Sequence, residues 1–282
     1  MYKIVAKRRL NSTITWLEIE APLVARNAKP GQFIILRTDE YGERIPLTMA
    51  GHNSEKGTIE IIYQAVGKTT LLLDQFEVGD ALLDVVGPLG KSTETEGLKR
   101  VAVVGGGTGN ALAYPIAKGM FDAGILVDMI AGFQTKDVVI LEDEFRAGTT
   151  NLYITTDDGS YGEKGFTTDK LKELILSGNK YDEIVAVGPP MMMKFICQLT
   201  KQYGIKTVVS LTAYMVDGTG MCGGCRVAIG EESKFVCVDG PDFDGQLVNW
   251  DELIRRNAYY KGQEKEDAAH LCHLTGGVRS ND

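Results

Sequence analysis

The chain has 282 residues, enough for one large or two modest domains with buried cores. Hydrophobic residues make up 44% and charged residues 24%, an ordinary balance for a folded globular protein. The net charge of −8 comes without a basic block, which argues against nucleic acid as a partner.

The opening segment, MYKIVAKRRLNSTITWLEIE, alternates polar and apolar residues and lacks the apolar core of a signal peptide. No apolar run approaches the length of a membrane span. The expected location is the cytoplasm, with no membrane partner. The segments FIILRT, TIEIIYQAV and ALLDVV are β-rich and spaced as in an antiparallel barrel. Pro30-Gly31, Gly79-Asp80 and GPLG (87–90) punctuate them as turns.

Two stretches of this first part have the makings of an anion site. In ERIPLTMAGH (43–52), Thr48 offers a hydrogen bond and Arg44 a phosphate partner. In IIYQAVGKTTLLL (61–73), a strand runs into Gly67, Lys68, Thr69 and Thr70 and then a helix-like apolar run. Hydroxyls, a lysine and backbone N–H groups at a helix start attract an anion. Together, ahead of a nucleotide domain, they point to a flavin held by its pyrophosphate.

From about residue 100 the pattern changes to buried strands alternating with helices, the signature of βαβ units around a parallel sheet. Strands are expected at RVAVV, ILVDMIAGF, NLYITT, YDEIVAVG and IKTVVSLT. Helices are expected at NALAYPIAKGMFDAG, LEDEFRAG, TTDKLKELILSG and PMMMKFICQLTKQYG. After the first strand come Gly105, Gly106, Gly107, Thr108 and Gly109, where glycine lets backbone approach a phosphate. The strict dinucleotide fingerprint fails, because its last position is Asn110. A tight turn without ligand is the alternative, but four glycines in five residues favour nucleotide binding.

A second glycine site, Gly188 with Pro189 and Pro190, follows another strand, and proline suits a helix first turn. Both loops are expected at one crevice of the sheet's C-terminal edge. Of Met191, Met192 and Met193, at least one should fill the core, and Met191 is assigned to the ligand side. In TTDDGSYGEKG, Asp157 or Asp158 is expected at the adenosine ribose, favouring NAD(H) and leaving NADP(H) open.

Beyond residue 212 lies MVDGTGMCGGCRVAIG, and a helical tail (NWDELIRRNAYYKGQEKEDAAHLCHL) ends the chain. Of five cysteines, three cluster here, which fits a metal site in a reducing compartment better than a disulfide framework. Plant-type [2Fe–2S] sites space their ligands C-x₄-C-x₂-C…C. Cys222 and Cys225 match the middle pair, Cys237 matches the last position, and the first position is Asp217. A carboxylate can ligate iron; a plain Asp-Gly turn is the alternative for Asp217. A structural zinc is the rival for the whole set, but it favours paired knuckles and only one Cys-x₂-Cys is present. Cys197 reads as core. Cys272 sits in HLCH (270–273), a tail or partner contact, and Tyr259 and Tyr260 are candidate docking residues.

In this order the residues resemble the ferredoxin-reductase superfamily over about residues 1–212. With the cluster loop, about 1–245 is similar to the iron–sulfur flavoprotein electron-transfer subunits. These include the electron-transfer subunit of class B dihydroorotate dehydrogenase and the small subunit of NADH-dependent reduced ferredoxin:NADP oxidoreductase. Aspartate at position 217, where the first type has cysteine, ranks the second type first.

The resemblance implies a β plus α/β fold: an FAD-binding antiparallel barrel (1–97), an NAD(P)-binding parallel-sheet domain (98–212), and a [2Fe–2S] loop with a helical tail (213–282). It implies FAD on Ile45, Pro46, Leu47, Thr48, Ile62, Tyr63, Gln64, Thr69 and Thr70, and the nicotinamide nucleotide on Gly106, Gly107, Thr108 and Gly188. It implies electron flow between NADH, FAD and the cluster, onward to a larger flavin/iron–sulfur oxidoreductase subunit, and to ferredoxin through that subunit, or the reverse. Two positions depart from the pattern: Ile45 stands where many members have arginine, and Val187 where many have cysteine. A stand-alone flavin reductase and a zinc-stabilised nucleotide-binding regulator are the competing classes.

Overall fold

The computed structural model describes residues 1–260 and 262. The first part holds β1 (Tyr2–Arg9), β2 (Ile14–Glu20), α1 (Pro22–Ala25), β3 (Phe33–Arg37), β4 (Ile45–Asn53), β5 (Thr58–Gln64), α2 (Lys68–Leu73), β6 (Ala81–Leu82) and β7 (Asp84–Leu89). They form a seven-stranded sheet in the order β6-β1-β2-β5-β4-β3-β7, with every neighbouring pair antiparallel. Its two edge strands are separated in sequence by Leu83 alone, so the sheet has to curl on itself into a barrel. The ALLDVV segment therefore supplies two strands rather than one.

Period-2 geometry explains why these strands read as nearly continuous apolar runs. In β3, Ile34 and Leu36 fill the barrel interior, while Phe33 and Ile35 pack into a second core outside it. In β5, Ile59, Ile61 and Tyr63 point inward and Ile62 joins the core around the next domain's helix. Both faces of these strands are buried.

The second part holds β8 (Arg100–Gly106), α3 (Gly109–Asp122), β9 (Leu126–Phe133), α4 (Glu142–Ala147), β10 (Asn151–Thr156), β11 (Glu163–Lys164), α5 (Thr167–Leu176), β12 (Glu183–Val187), α6 (Pro190–Gln202) and β13 (Lys206–Ser210). The sheet order is β11-β10-β9-β8-β12-β13, all parallel, with a last strand β16 (Asp242–Asp244) beyond β13. The order reverses between β8 and β12, which opens a crevice beyond their carboxyl ends.

The remainder contributes a hairpin, β14 (Arg226–Ile229) and β15 (Glu232–Phe235), then α7 (Val236–Asp239), β16 (Asp242–Asp244) and α8 (Trp250–Asn257). Periodicity gives no warning of β16, a three-residue strand that pairs antiparallel with β13 and ends the sheet. It ties the cysteine-bearing segment to the nucleotide domain, and Cys225, Val227, Val236 and Cys237 share a core with Ala186, Met193 and Val209. Asn249 caps α8 by accepting from the Glu252 N–H at 3.1 Å. The expected tail helix is α8 over its first turns; Cys272 and HLCH (270–273) lie outside the described residues. Among the described residues no helix is long and apolar enough to cross a membrane.

Candidate functional site

A cleft of about 990 Å³ runs between the barrel and the parallel sheet and reaches the cysteine-bearing segment. Its walls come from three places. The barrel supplies Pro46, Leu47, Thr48, Ile62, Tyr63, Gln64 and Thr70. The sheet edge supplies Gly106, Gly107, Thr108, Gly109, Asp157, Gly188, Pro189 and Met191. The last wall is Thr212, Ala213, Met215 and Pro241.

Not every expected flavin residue faces this cleft. Arg44, Ile45, Gly67, Lys68 and Thr69 do not line it. Arg44 donates from Nε to the carbonyl of Val216 at 3.0 Å, which ties it to the cysteine-bearing loop. Ile45 packs against the barrel core. Thr69 is buried and donates to Glu43 Oε2 at 2.7 Å, and Lys68 is exposed. Thr70 folds back on its own helix start, accepting from the Val66 and Gly67 N–H groups at 3.1 and 3.0 Å. Tyr63 commits its side chain to the barrel core, with its hydroxyl 3.5 Å from Asp74 Oδ1. Burial and the Asp74 carboxylate push that phenol above its ordinary range.

The two glycine loops meet at the switch point, and packing accounts for most of their glycines. A Cβ on Gly105 would lie 2.1 Å from Asn110 Oδ1, and one on Gly106 2.4 Å from Met192 Sδ. One on Gly109 would lie 2.5 Å from Gly188 Cα. Gly107 differs: its φ of +55° needs glycine, yet a Cβ there would meet nothing within 4 Å. Packing against backbone forbids a side chain at Gly109, and Gly105 and Gly106 are crowded by the side chains of Asn110 and Met192. Gly107, on the open side, is the one whose bare backbone faces free space.

Asn110, where the strict fingerprint has glycine, is fully buried and donates from Nδ2 to the carbonyls of Gly107 and Gly132 at 3.0 and 2.9 Å. It stitches the loop after β8 to the end of β9. Met193 enters the core, Met192 wedges between the two loops, and Met191 is half exposed on the cleft.

Of the two candidate ribose acids, only Asp157 lines the cleft. Asp158 turns back on Ser160, accepting from its N–H at 2.9 Å and its hydroxyl at 2.6 Å, and the hydroxyl bond holds its carboxyl below the ordinary range. Phe166, 62% exposed at the start of α5, also lines the cleft; sequence reading missed it because it lies outside any glycine motif. Ser210 and Pro241 were missed for a related reason, since they become neighbours only through the pairing of β13 with β16.

The four expected cluster ligands form two pairs. Asp217 Oδ1 lies 3.5 Å from Cys222 Sγ. The Asp217 carboxylate accepts N–H bonds from Thr219, Met221 and Cys222 at 3.0, 3.1 and 2.9 Å, and the Thr219 bond is foremost in holding its pKa below the ordinary range. Cys225 and Cys237 are buried together, and the Cys237 N–H points at Cys225 Sγ at 3.4 Å. Burial, with Cys225 beside it, pushes the Cys237 thiol up to about 12. Among the described residues no three Cys, His, Asp or Glu side chains converge on a single ion. N–H groups aimed at the Cys222 and Cys225 sulfurs suit sulfur ligation.

Residues 212–249 match the iron-sulfur cluster binding domain of dihydroorotate dehydrogenase B, and residues 103–198 match the oxidoreductase NAD-binding domain. The dihydroorotate dehydrogenase B (NAD(+)) electron transfer subunit homolog of Thermotoga maritima is 46% identical over 263 residues, covering 93% of each chain. This chain belongs to the dihydroorotate dehydrogenase B electron-transfer subunit family. A second family-length relative, an uncharacterized protein in the adh 3′ region of Clostridium beijerinckii, is 54% identical, covering 94% of this chain and 92% of its own. A chain of the NADH-dependent reduced ferredoxin-NADP oxidoreductase, a structure described in terms of flavin-based electron bifurcation, is 43% identical. It superposes with a TM-score of 0.91 over 96% of this chain and 98% of its own. The matched cluster domain spans all four ligand positions, and the matched NAD-binding domain spans both glycine loops.

Proposed function

We infer that the chain is the electron-transfer subunit of an NADH-dependent reduced ferredoxin:NADP oxidoreductase. The observation that carries this is one cleft shared by the barrel, the switch point and the cysteine-bearing segment, in a chain superposing at 0.91 on that oxidoreductase. We assign residues 1–97 to flavin binding, 98–212 to the nucleotide, and 213–282 to the cluster loop and tail.

FAD supplies the conversion between hydride and single electrons, and a [2Fe–2S] cluster supplies a one-electron carrier. The chain's own work is positioning. Pro46, Leu47, Thr48 and Gln64 form the flavin wall, with the backbone of Ile62 and Tyr63 beside them. Gly106, Gly107, Thr108 and Gly188 receive the nicotinamide nucleotide, with Asp157 toward the ribose. Val187, buried at 1% exposure at the end of β12, puts no proton-bearing side chain beside Gly188. Asp217, Cys222, Cys225 and Cys237 hold the cluster. A larger flavin/iron–sulfur subunit completes the complex, in the cytoplasm, where free thiols persist.

The 46% identical relative favours a second reading, in which the partner oxidises dihydroorotate. Anaerobic purification with copurifying subunits, followed by visible spectra and low-temperature EPR before and after NADH, tests both. Flavin bleaching with a reduced [2Fe–2S] signal is expected. Turnover with ferredoxin and NADP, and none with dihydroorotate, decides between the readings; protein lacking both chromophores refutes them.

A further inference from the structure

Two arginines from opposite parts of the molecule hold backbone carbonyls of the cluster loop. Arg44, in the segment leading into β4, donates from Nε to Val216 O at 3.0 Å, immediately before Asp217. Arg256, in α8, donates from Nη2 to Gly224 O at 3.0 Å, immediately before Cys225 and after Cys222. Both side chains are half-buried, and neither has a carboxylate partner among the described residues. Arg8, Arg9, Arg37, Arg100 and Arg146 each pair with a carboxylate, whereas Arg26, Arg226 and Arg255 share the lack of one but hold no cluster-loop carbonyl.

We propose that Arg44 and Arg256 are positioning residues that fix the two halves of the cluster loop and favour the reduced cluster through their unneutralised charge. The inference rests on the cluster reading above. Three thiolates and a carboxylate form an all-anionic donor set, and gaining one electron adds a further negative charge with no group leaving. A guanidinium bonded to the loop lowers the cost of that added charge, and outer hydrogen-bonding partners tune a metal site in this way. Because Arg44 also leads into Pro46-Leu47-Thr48, it ties the flavin wall to the cluster loop through one side chain.

The test uses the whole complex, with iron content per chain and the cluster's midpoint potential by EPR-monitored titration. R44Q and R256Q should each shift the reduced-to-oxidised ratio at fixed potential roughly tenfold toward oxidised, ~59 mV for a one-electron couple. R44K and R256K should stay nearer the wild-type potential, since the charge is kept. Unchanged potentials in both Gln variants at full iron content overturn the proposal, as do equal shifts in the Lys and Gln variants. If the Gln variants lose iron, R44K and R256K decide: iron retained at a near wild-type potential supports the proposal, and a shift of ~59 mV with the charge kept overturns it. A wild-type complex without any [2Fe–2S] signal overturns the functional reading itself, a distinct result.

Discussion

Gly109 and Gly188 meet backbone to backbone: a Cβ on Gly109 would lie 2.5 Å from Gly188 Cα and 2.5 Å from Val187 O. The loop after β8 and the loop after β12 thus form one wall of the cleft. Gly109→Ala should destabilise the fold by about 1–3 kcal/mol, because backbone cannot move aside as a side chain can. Gly107→Ala has room but a left-handed φ of +55°, and should cost about 1–2 kcal/mol. Denaturant midpoints check both. The two should differ in nucleotide binding per folded molecule: Gly107→Ala weakens it by placing a methyl on the open face of the cleft.

Asp217 is the ligand position that most needs a direct test. Asp217→Cys should keep the iron and move the cluster potential, because a thiolate replaces a carboxylate oxygen. Asp217→Ala should lose iron. Iron analysis and EPR read both outcomes, and unchanged redox behaviour in Asp217→Cys removes Asp217 from the ligand set.

Alkylation of protein stripped of iron should follow exposure. Cys222 is exposed, whereas Cys225 and Cys237 are each 1% exposed and Cys197 is 4% exposed. Mass spectrometry after brief iodoacetamide treatment should find Cys222 modified first among these four described cysteines. Reconstitution with iron and sulfide should protect it.

Asp157 faces the cleft and Asp158 does not. Asp157→Ser should shift the preference between NADH and NADPH by about tenfold toward NADPH, ~1.4 kcal/mol, by removing a charge that repels a 2′-phosphate. Asp158→Asn should leave the ratio near wild type. Measured dissociation constants for the two nucleotides give the answer.

Asp242 predicts a pH dependence of stability. Its Oδ1 is buried without a hydrogen-bond partner, while Oδ2 accepts from Thr93 at 2.7 Å. Burial raises its pKa above the ordinary 3.8, against the Thr93 bond, and the charges of Glu183 and Glu94 push the same way as burial. The folded state therefore binds this proton more tightly than the unfolded chain, so this group's contribution falls as pH rises above 3.8 toward the raised value. Asp242→Asn should gain stability relative to wild type as pH goes from 4 to 7. A difference between the two proteins that stays flat with pH removes Asp242 from the titration.

Residue order alone carries local information. Alternating and continuous apolar runs announced the barrel, the parallel sheet and most of its helices, because burial of a strand face imposes a period of two within a few residues. The spacing of Asp217, Cys222, Cys225 and Cys237 announced the cluster-binding segment that the family match covers, because three of these candidate positions lie in one short turn. Contacts between residues far apart in the chain emerge with the assembled fold. Arg44 meets Val216 across 172 residues, Thr69 turns to Glu43 rather than to the cleft, and Asp242 meets Thr93 through β16. Glycine in a loop looks the same in sequence whether it makes room for a ligand or for another strand's backbone. The approach of Gly188 to Gly109 assigns that glycine to packing, and the open space beside Gly107 leaves that one to the ligand. Periodicity tells which face of an element is covered; only the assembled fold tells what covers it.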